Sequence, residues 1–119
     1  MDALTDPFSP IADERGTLLP VEFDDVPFAV RRVFVVHGSD SGAPRGDHEV
    51  PCEELVVLLS GTACFRVAAP GEDVRERVLR HRGDALALRP GEHVVYHLDS
   101  ETAAILVLAA EPYDASADS

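Results

Sequence analysis

The chain has 119 residues, enough for one domain with its own core and too few for a second. Apolar residues make up 45% of it and charged residues 27%, as in an ordinary globular protein. Twenty-two acidic against ten basic residues give a formal charge of −12, which disfavours binding to nucleic acid or to an anionic membrane surface. Every lysine or arginine position in the chain is an arginine, whose guanidinium group suits phosphate or carboxylate better than a lysine ammonium group does, because it can form two parallel hydrogen bonds.

Signals for a membrane or an oxidising compartment are missing from the sequence. The N-terminus has no basic segment followed by an apolar one, and no apolar run approaches the roughly 20 residues of a membrane helix. We therefore expect a cytoplasmic protein. Cys52 and Cys64 flank a Ser-Gly turn at 60–61. A two-residue hairpin there pairs Leu59 with Thr62, so the thiols are not opposite each other and both are expected to be free.

Short apolar or alternating runs, separated by turn residues, follow one another along the chain. After a polar segment with a turn at 13–16, we predict strands at 17–23, 28–37, 53–60, 62–68, 74–79, 85–88, 93–98 and 102–109. Pro20 restricts the first strand to an edge, and residues 38–46 form a loop. Residues 1–10 and 112–119 are expected to fray. About eight short strands without an amphipathic helix predict an all-β fold, for which a jelly roll fits.

Two segments resemble the motifs of the cupin superfamily, whose members are small jelly-roll barrels. His48, Glu54 and Gly61 have the spacing of the first motif, which reads His-x-His, three or four residues, Glu, six residues, Gly. Residues 83–93 are similar to the second motif. The resemblance implies a cupin-type jelly-roll barrel in which alternate strand residues point inward together.

Both motifs lack metal ligands of the superfamily. Val50 stands where the first motif has its second histidine, and the histidine of the second motif falls nearest Val94, beside His93. A catalytic metal generally needs three protein ligands. We therefore expect no metal and no other cofactor.

The chain is further similar to the nucleotide-sugar 3,4-ketoisomerases (the FdtA/QdtA or WxcM-like group). These are metal-free cupins that act on dTDP-4-keto-6-deoxyglucose. The matching segments lie in order at 13–18, 27–34, 45–48, 55–61, 90–91, 105–110 and 113–114. The resemblance implies one cupin domain over residues 1–119, a dTDP-sugar ligand and a homodimer, to which the exposed first strand is a natural contribution.

In that family an Arg-Gly-x-His-x-His segment supplies histidines for proton transfer, and arginines hold the nucleotide diphosphate. Carried over, His48 matches the first histidine, and Arg32 and Arg45 match arginines. The second histidine matches Val50, or Glu49 if the register is taken from the following strand.

Three further positions depart from the family pattern. Glu54 replaces a glutamine that opens the following strand, Phe34 replaces a tyrosine, and His93 replaces a tryptophan. The chain has no tryptophan at all.

Moving a carbonyl to the neighbouring carbon needs a base and an acid that work near neutral pH. Histidine titrates there, so His48 suits one role. For the other role Glu49, Glu54, His93 and Tyr96 are available, and burial in an apolar barrel would raise the pKa of Glu54 so that it could serve. Alternation places Arg31 and Arg32 on opposite faces, with Arg32 expected inside. We assign catalytic roles to His48, Glu49 and Glu54, and substrate contacts to Arg32, Arg45, His93 and Tyr96.

The leading hypothesis is a metal-free ketoisomerase-like cupin acting on a dTDP-4-keto-6-deoxy sugar in deoxysugar biosynthesis. Because Val50 removes a histidine, one alternative is a catalytically altered or inactive cupin that still binds a small molecule or nucleotide sugar. A second alternative is a metal-dependent cupin.

Overall fold

The strand-forming runs pair into two four-stranded antiparallel sheets and one short hairpin. A computed structural model describes residues 8–112, so most of the two segments predicted to fray and the family match at 113–114 lie outside it. A short 3-10 turn, Phe23–Asp25, is its helical element, and within 8–112 no helix has the length and apolarity to cross a membrane. The strands are β1 (Ile11–Asp13), β2 (Gly16–Leu18), β3 (Arg32–His37), β4 (Arg45–Glu49), β5 (Glu54–Ser60), β6 (Ala63–Ala68), β7 (Arg75–Leu79), β8 (Ala85–Leu88), β9 (His93–Leu98) and β10 (Ala104–Ala109).

The two larger sheets form the two layers of a jelly roll. Their strand orders are β3-β10-β5-β8 and β4-β9-β6-β7, and the β1–β2 hairpin stands apart from both. One apolar core collects side chains from both sheets and lies between them. The predicted all-β fold is confirmed, with ten strands where the sequence predicts about eight.

Strand β5 lies inside its sheet and is covered on both faces. Its first five residues are all buried, so the strand lacks the alternation of a half-exposed one. Val56 and Leu58 belong to the core between the sheets. Leu55 and Val57 belong to a second core on the outer face, which segment 19–30 helps to cover. This double cover fixes which residues of β5 can reach the interior.

The N-terminal segment differs most from the sequence prediction. The strand predicted at 17–23 ends at Leu18 and pairs with β1 across the predicted turn. Pro20, which lacks a backbone N–H, follows after Leu19 and cannot extend this ladder as a donor. Phe8, expected to fray, is only 3% exposed and packs in the outer core with Val26.

The turn at 60–61 joins the two sheets and does not close a hairpin. Strand β5 pairs with β10 and β8, whereas β6 pairs with β7 and β9. The predicted pairing of Leu59 with Thr62 is therefore wrong. The local sequence, an apolar strand followed by a Ser-Gly turn and a second strand, is compatible with a hairpin and with a corner between two sheets. It does not show which other strands each of the two strands pairs with.

Strand β4 begins inside the segment predicted as a loop at 38–46. It pairs with β9 at the edge of its sheet. The strand is polar and starts with Arg45-Gly46-Asp47, so it lacks the apolar alternation by which strands are recognised. The segment is a strand because its backbone pairs with β9.

The corner at 60–61 generates a stability prediction. Gly61 and Gly71 have similar positive φ angles, 72° and 75°. A Cβ on Gly61 would lie 2.5 Å from the Ala103 Cβ, whereas nothing lies within 4 Å of one on Gly71. We expect Gly71→Ala to cost about 1–2 kcal/mol, from the left-handed backbone alone. Gly61→Ala should cost about 1–3 kcal/mol more from the clash.

The free energies of unfolding in urea check this comparison. Gly71→Ala is the matched control, because it carries the backbone cost without the contact. Equal losses in the two variants would show that the corner tolerates an added methyl group.

Candidate active site

A small pocket, part of it open to solvent, lies between the two sheets. Its walls are mainly apolar and aromatic, and three ionisable side chains enter it. These are His48 from β4, Glu54 from β5 and Tyr96 from β9. A few polar groups converging in an apolar pocket are the usual form of a small-molecule site. The sequence analysis assigned roles to all three.

A bulge in β4 brings Arg45 and His48 to the same face of the sheet. Arg45 pairs with Tyr96 and His48 pairs with Val94, but the register shifts between Gly46 and His48. Tyr96 and Val94 both line the cavity, so their partners on β4 share that face. In a regular strand, residues three apart point to opposite faces. The extra residue in the bulge removes this conflict.

His48 presents a ring nitrogen to the interior that no described residue satisfies. Its Nδ1 is buried and has no hydrogen-bond partner within residues 8–112. A buried polar atom without a partner costs free energy, and such atoms are rare outside functional sites. A bound ligand could supply the missing partner. The histidine is therefore arranged for an exchangeable contact.

Glu54 is 9% exposed and lies on the cavity wall. Burial raises the pKa of its carboxyl group above the ordinary value, and the positive charge of Arg32 opposes part of that rise. The two residues flank Ala109, which pairs with Arg32 on one side and Glu54 on the other. A carboxyl group with a raised pKa can keep its proton at pH values where ordinary glutamates have lost theirs.

Arg32 faces the interior, as the sequence analysis predicts, and Arg31 is exposed. The guanidinium group of Arg32 lies 4.8 Å from the centre of the Phe34 ring, two residues along the same face. Stacking on an aromatic ring holds the guanidinium plane in place. Arg32 therefore supplies a fixed positive charge near Glu54.

Tyr96 is 7% exposed, and its ring stacks on Phe65 with centroids 4.8 Å apart. Burial raises the pKa of its phenol, while a hydrogen bond with the Arg45 side chain lowers it in part. This contact ties the exposed Arg45 to the interior of the site. The phenol keeps its proton at neutral pH and can act as a hydrogen-bond donor.

Glu49 and His93, which the sequence analysis placed in the site, do not reach the cavity. They pair with each other on β4 and β9, and both are exposed. Val94, the next residue after His93, lines the cavity, so alternation directs His93 to the outer face. The structure therefore does not bring Glu49 or His93 to the cavity wall, and the roles assigned to them stay predictions.

The position of Val50 settles which residue replaces the family's second histidine. Val50 is 2% exposed and lies in the core, on the same face as His48. Its backbone N–H donates to the Glu92 carbonyl at 2.7 Å, and its carbonyl accepts from Gly91 at 2.9 Å. Glu49 faces outward, so the inward position two residues after His48 belongs to Val50. The cavity has one imidazole there.

The described residues do not assemble a metal centre. In the range 8–112, no three His, Cys, Asp or Glu side chains come together in a way that could hold a metal ion. Cys52 and Cys64 are both free, as predicted, and Cys52 is buried in the bend before β5.

Some features of the site escape the sequence analysis. Phe65 and Leu88 form cavity walls and were not singled out, because alternation in their strands predicts burial without saying what they face. The bulge in β4 was also missed. Its signal is the pair Gly46-Asp47, since glycine and aspartate are residue types that accept positive φ angles.

A jelly roll with proton-transfer groups on the cavity wall and arginines beside them defines a cupin-like protein. The family model described as WxcM-like, C-terminal (FdtA) matches residues 1–118. The chain therefore belongs to the WxcM-like family, as its sequence motifs suggest.

Relatives with an assigned activity support the same placement. The chain is 29% identical over 109 residues to the TDP-4-oxo-6-deoxy-alpha-D-glucose-3,4-oxoisomerase of Aneurinibacillus thermoaerophilus, covering 90% of this chain and 78% of the relative. The structure resembles QdtA, a sugar 3,4-ketoisomerase from Thermoanaerobacterium thermosaccharolyticum solved with TDP, at a TM-score of 0.80 and 29% identity, covering 92% and 80% of the two chains. It also resembles WlaRB, a TDP-quinovose 3,4-ketoisomerase from Campylobacter jejuni, at a TM-score of 0.81 and 26% identity, covering 97% and 89%.

The raised pKa of Glu54 generates a prediction about stability and pH. Below pH 4.5, the ordinary glutamate value, the carboxyl group is neutral in the folded and the unfolded chain alike. As pH rises through the higher folded pKa, the wild type must ionise a buried group or keep a proton that the unfolded chain has released. Wild type should therefore lose unfolding free energy relative to Glu54→Gln, which stays neutral.

Urea unfolding of both proteins over a pH series measures this difference. A wild type that gains on the Gln variant as pH rises would mean that Arg32 outweighs burial and that the pKa of Glu54 is lowered.

Proposed function

We propose that this protein is a sugar-nucleotide ketoisomerase that moves the keto group of a dTDP-linked 4-keto-6-deoxy sugar to the neighbouring carbon. Family membership and the two ketoisomerase structures give the substrate class. The observation that carries the proposal is the meeting of His48 and Glu54 in one cavity, from opposing sheets. Each is a group that can exchange protons with a ligand.

The reaction needs two hydrogen movements that balance. A proton leaves C3 of the sugar and one is added at C4, while the O3 hydroxyl proton is lost and O4 gains one. An enediol links the two ketones. The carbon protons need a base that becomes an acid in the second half, and an imidazole does this near neutral pH. His48, with its unsatisfied buried Nδ1, takes this part.

Glu54 serves the oxygens. A neutral carboxyl group donates from one oxygen and accepts at the other, so it can protonate O4 while receiving the O3 proton. Its raised pKa favours the neutral form that this exchange needs. The phenol of Tyr96, buried nearby, can stabilise charge that develops on the sugar oxygens.

The diphosphate requires positive charge, which is scarce in a chain of net charge −12. Phe34 on β3 and His48 on β4 both line the cavity, although these edge strands belong to different sheets and are not paired. Arg32 on β3 and Arg45 on β4 thus stand on the two sides of this seam. We assign the diphosphate to them, because guanidinium groups bind phosphate oxygens in pairs.

A second candidate function is binding without turnover. Val50 fills the inward position after His48 with an apolar side chain, so the family's two-histidine arrangement is reduced to one. In this candidate the cavity and the arginines keep the nucleotide sugar, and the proton transfer is lost. Binding of the nucleotide sugar without its conversion would favour this second candidate over the ketoisomerase.

We expect His48→Asn to abolish conversion of dTDP-4-keto-6-deoxyglucose, because asparagine cannot take the C3 proton. Affinity for dTDP should stay within about twofold of wild type, since the arginines that hold the diphosphate are unchanged. Product formation followed by NMR and dTDP binding followed by calorimetry check the two halves. His81→Asn, the same replacement at an exposed histidine outside the cavity, is the control. Equal turnover in His48→Asn would remove His48 from the mechanism.

We also propose that the protein is a homodimer. All six residues of the β1–β2 hairpin are exposed, including apolar Ile11 at 56% and Leu18 at 63%. An isolated two-stranded hairpin is marginal in water. On the edge strand β3, Val33 and Val35 are about half exposed and offer a further apolar surface.

Light scattering at micromolar concentration should give twice the chain mass. The double variant Ile11→Arg with Leu18→Arg should shift the protein toward the monomer, because it places charges on the apolar hairpin. A monomeric wild type would refute the dimer.

A further inference from the structure

The bulge that brings Arg45 and His48 to the cavity-side face of the sheet depends on an unusual backbone conformation. Gly46 and Asp47 have φ angles of 84° and 58°, and Asp47 is the one non-glycine residue within 8–112 at positive φ. A residue other than glycine adopts such an angle only at a cost in conformational free energy. The surrounding structure must therefore hold Asp47 in place.

His93 holds it from the outer face of the sheet. The Nε2 atom of His93 lies 3.0 Å from Oδ1 of Asp47. The carboxylate can only accept, so the imidazole donates. His93 stands across from Glu49 on β4, and its ring reaches back to the bulge residue, so both of these carboxylates of β4 lie near it. His93 also lines a groove on the outer face of this sheet, and the other charged residues that line the groove are Arg66 and Glu76.

We propose that His93 is a positioning residue for the active site, acting through Asp47 on the β4 bulge. The inference rests on the proposed function, because the groups it positions are the proton-transfer histidine and a diphosphate-binding arginine. His93 does not line the cavity. It stabilises the left-handed residue that lets both Arg45 and His48 face inward.

The geometry leaves little alternative for the two side chains. If Asp47 returned to an extended conformation, the pairing of β4 with β9 would become regular. Residues 45 and 48 would then lie on opposite faces, and one of them would leave the cavity. A Cβ on Gly46 would lie 2.9 Å from the Val94 carbonyl oxygen, so the strand is also closely packed at the bulge. The His93–Asp47 contact selects the bulged pairing.

The contact is exposed, with 47% of the His93 side chain and 81% of the Asp47 side chain accessible, so its effect should be modest. We expect His93→Ala to lower kcat about two- to fivefold, the range for an exposed ion pair. It should also shift the ring NMR signals of His48, which are identified by their loss in His48→Asn. His93→Gln, whose amide can still donate to Asp47, should restore both toward wild type.

Two further variants show whether the effect runs through Asp47. His97→Ala is the matched control, because His97 lies on the same exposed face of β9 but pairs with Cys64 on β6. It should leave kcat and the His48 signals unchanged. In an Asp47→Ala background, His93→Ala should have no further effect, since the contact is already gone.

The outcomes separate this inference from the proposed function. His48 signals and kcat at wild-type values in His93→Ala would overturn it, and so would an equal change in His97→Ala. A wild type without turnover would overturn the proposed function alone. In that case, a His48 shift in His93→Ala and its return in His93→Gln would still support the positioning role.

Discussion

The alternation of side chains along the strands decides what this cavity contains, and the β4 bulge breaks that alternation between Arg45 and His48. Without the bulge, Arg45 and His48 could not both face inward beside Tyr96 and Val94. On β9 the rule holds, and it sends His93 outward. The set of side chains that face the site thus depends on the backbone conformation of Gly46-Asp47, which costs conformational free energy. His93 on the neighbouring strand β9 forms a hydrogen bond with Asp47.

The second constraint is the burial of ionisable groups among apolar walls. Burial raises the pKa of Glu54, and one fixed cation, Arg32, limits that rise. His48 keeps a buried nitrogen without a partner in the described part of the chain. Such an arrangement is unfavourable for stability and favourable for proton exchange with a ligand. Under the proposed function, Glu54 takes the part of the second proton-transfer group, because it lines the cavity and Val50 carries no ionisable group.

The sequence predicts the all-β fold well, because short apolar or alternating runs between turn residues mark most of the strands. The strands over 85–88 and 93–98 match their predicted bounds, and most others differ by a residue or two. The pairing of the strands is harder to predict from the sequence, since the Ser-Gly turn after Leu59 is compatible with a hairpin or with a crossing between sheets. At the site, spacing identifies His48 and alternation selects Arg32 over Arg31. Neither rule predicts the face of Glu49, because its position depends on a bulge that only the pairing with β9 reveals.

The central claim is that this cavity moves a carbonyl by proton transfer. It is tested most directly by incubating the wild-type protein with dTDP-4-keto-6-deoxyglucose in deuterium oxide and recording the sugar protons by NMR. The account predicts a 3-keto sugar that carries deuterium at C4, because the new C4 proton comes from a group that exchanges with solvent. Recovery of the 4-keto sugar at high protein concentration, with its C3 proton intact, would contradict it.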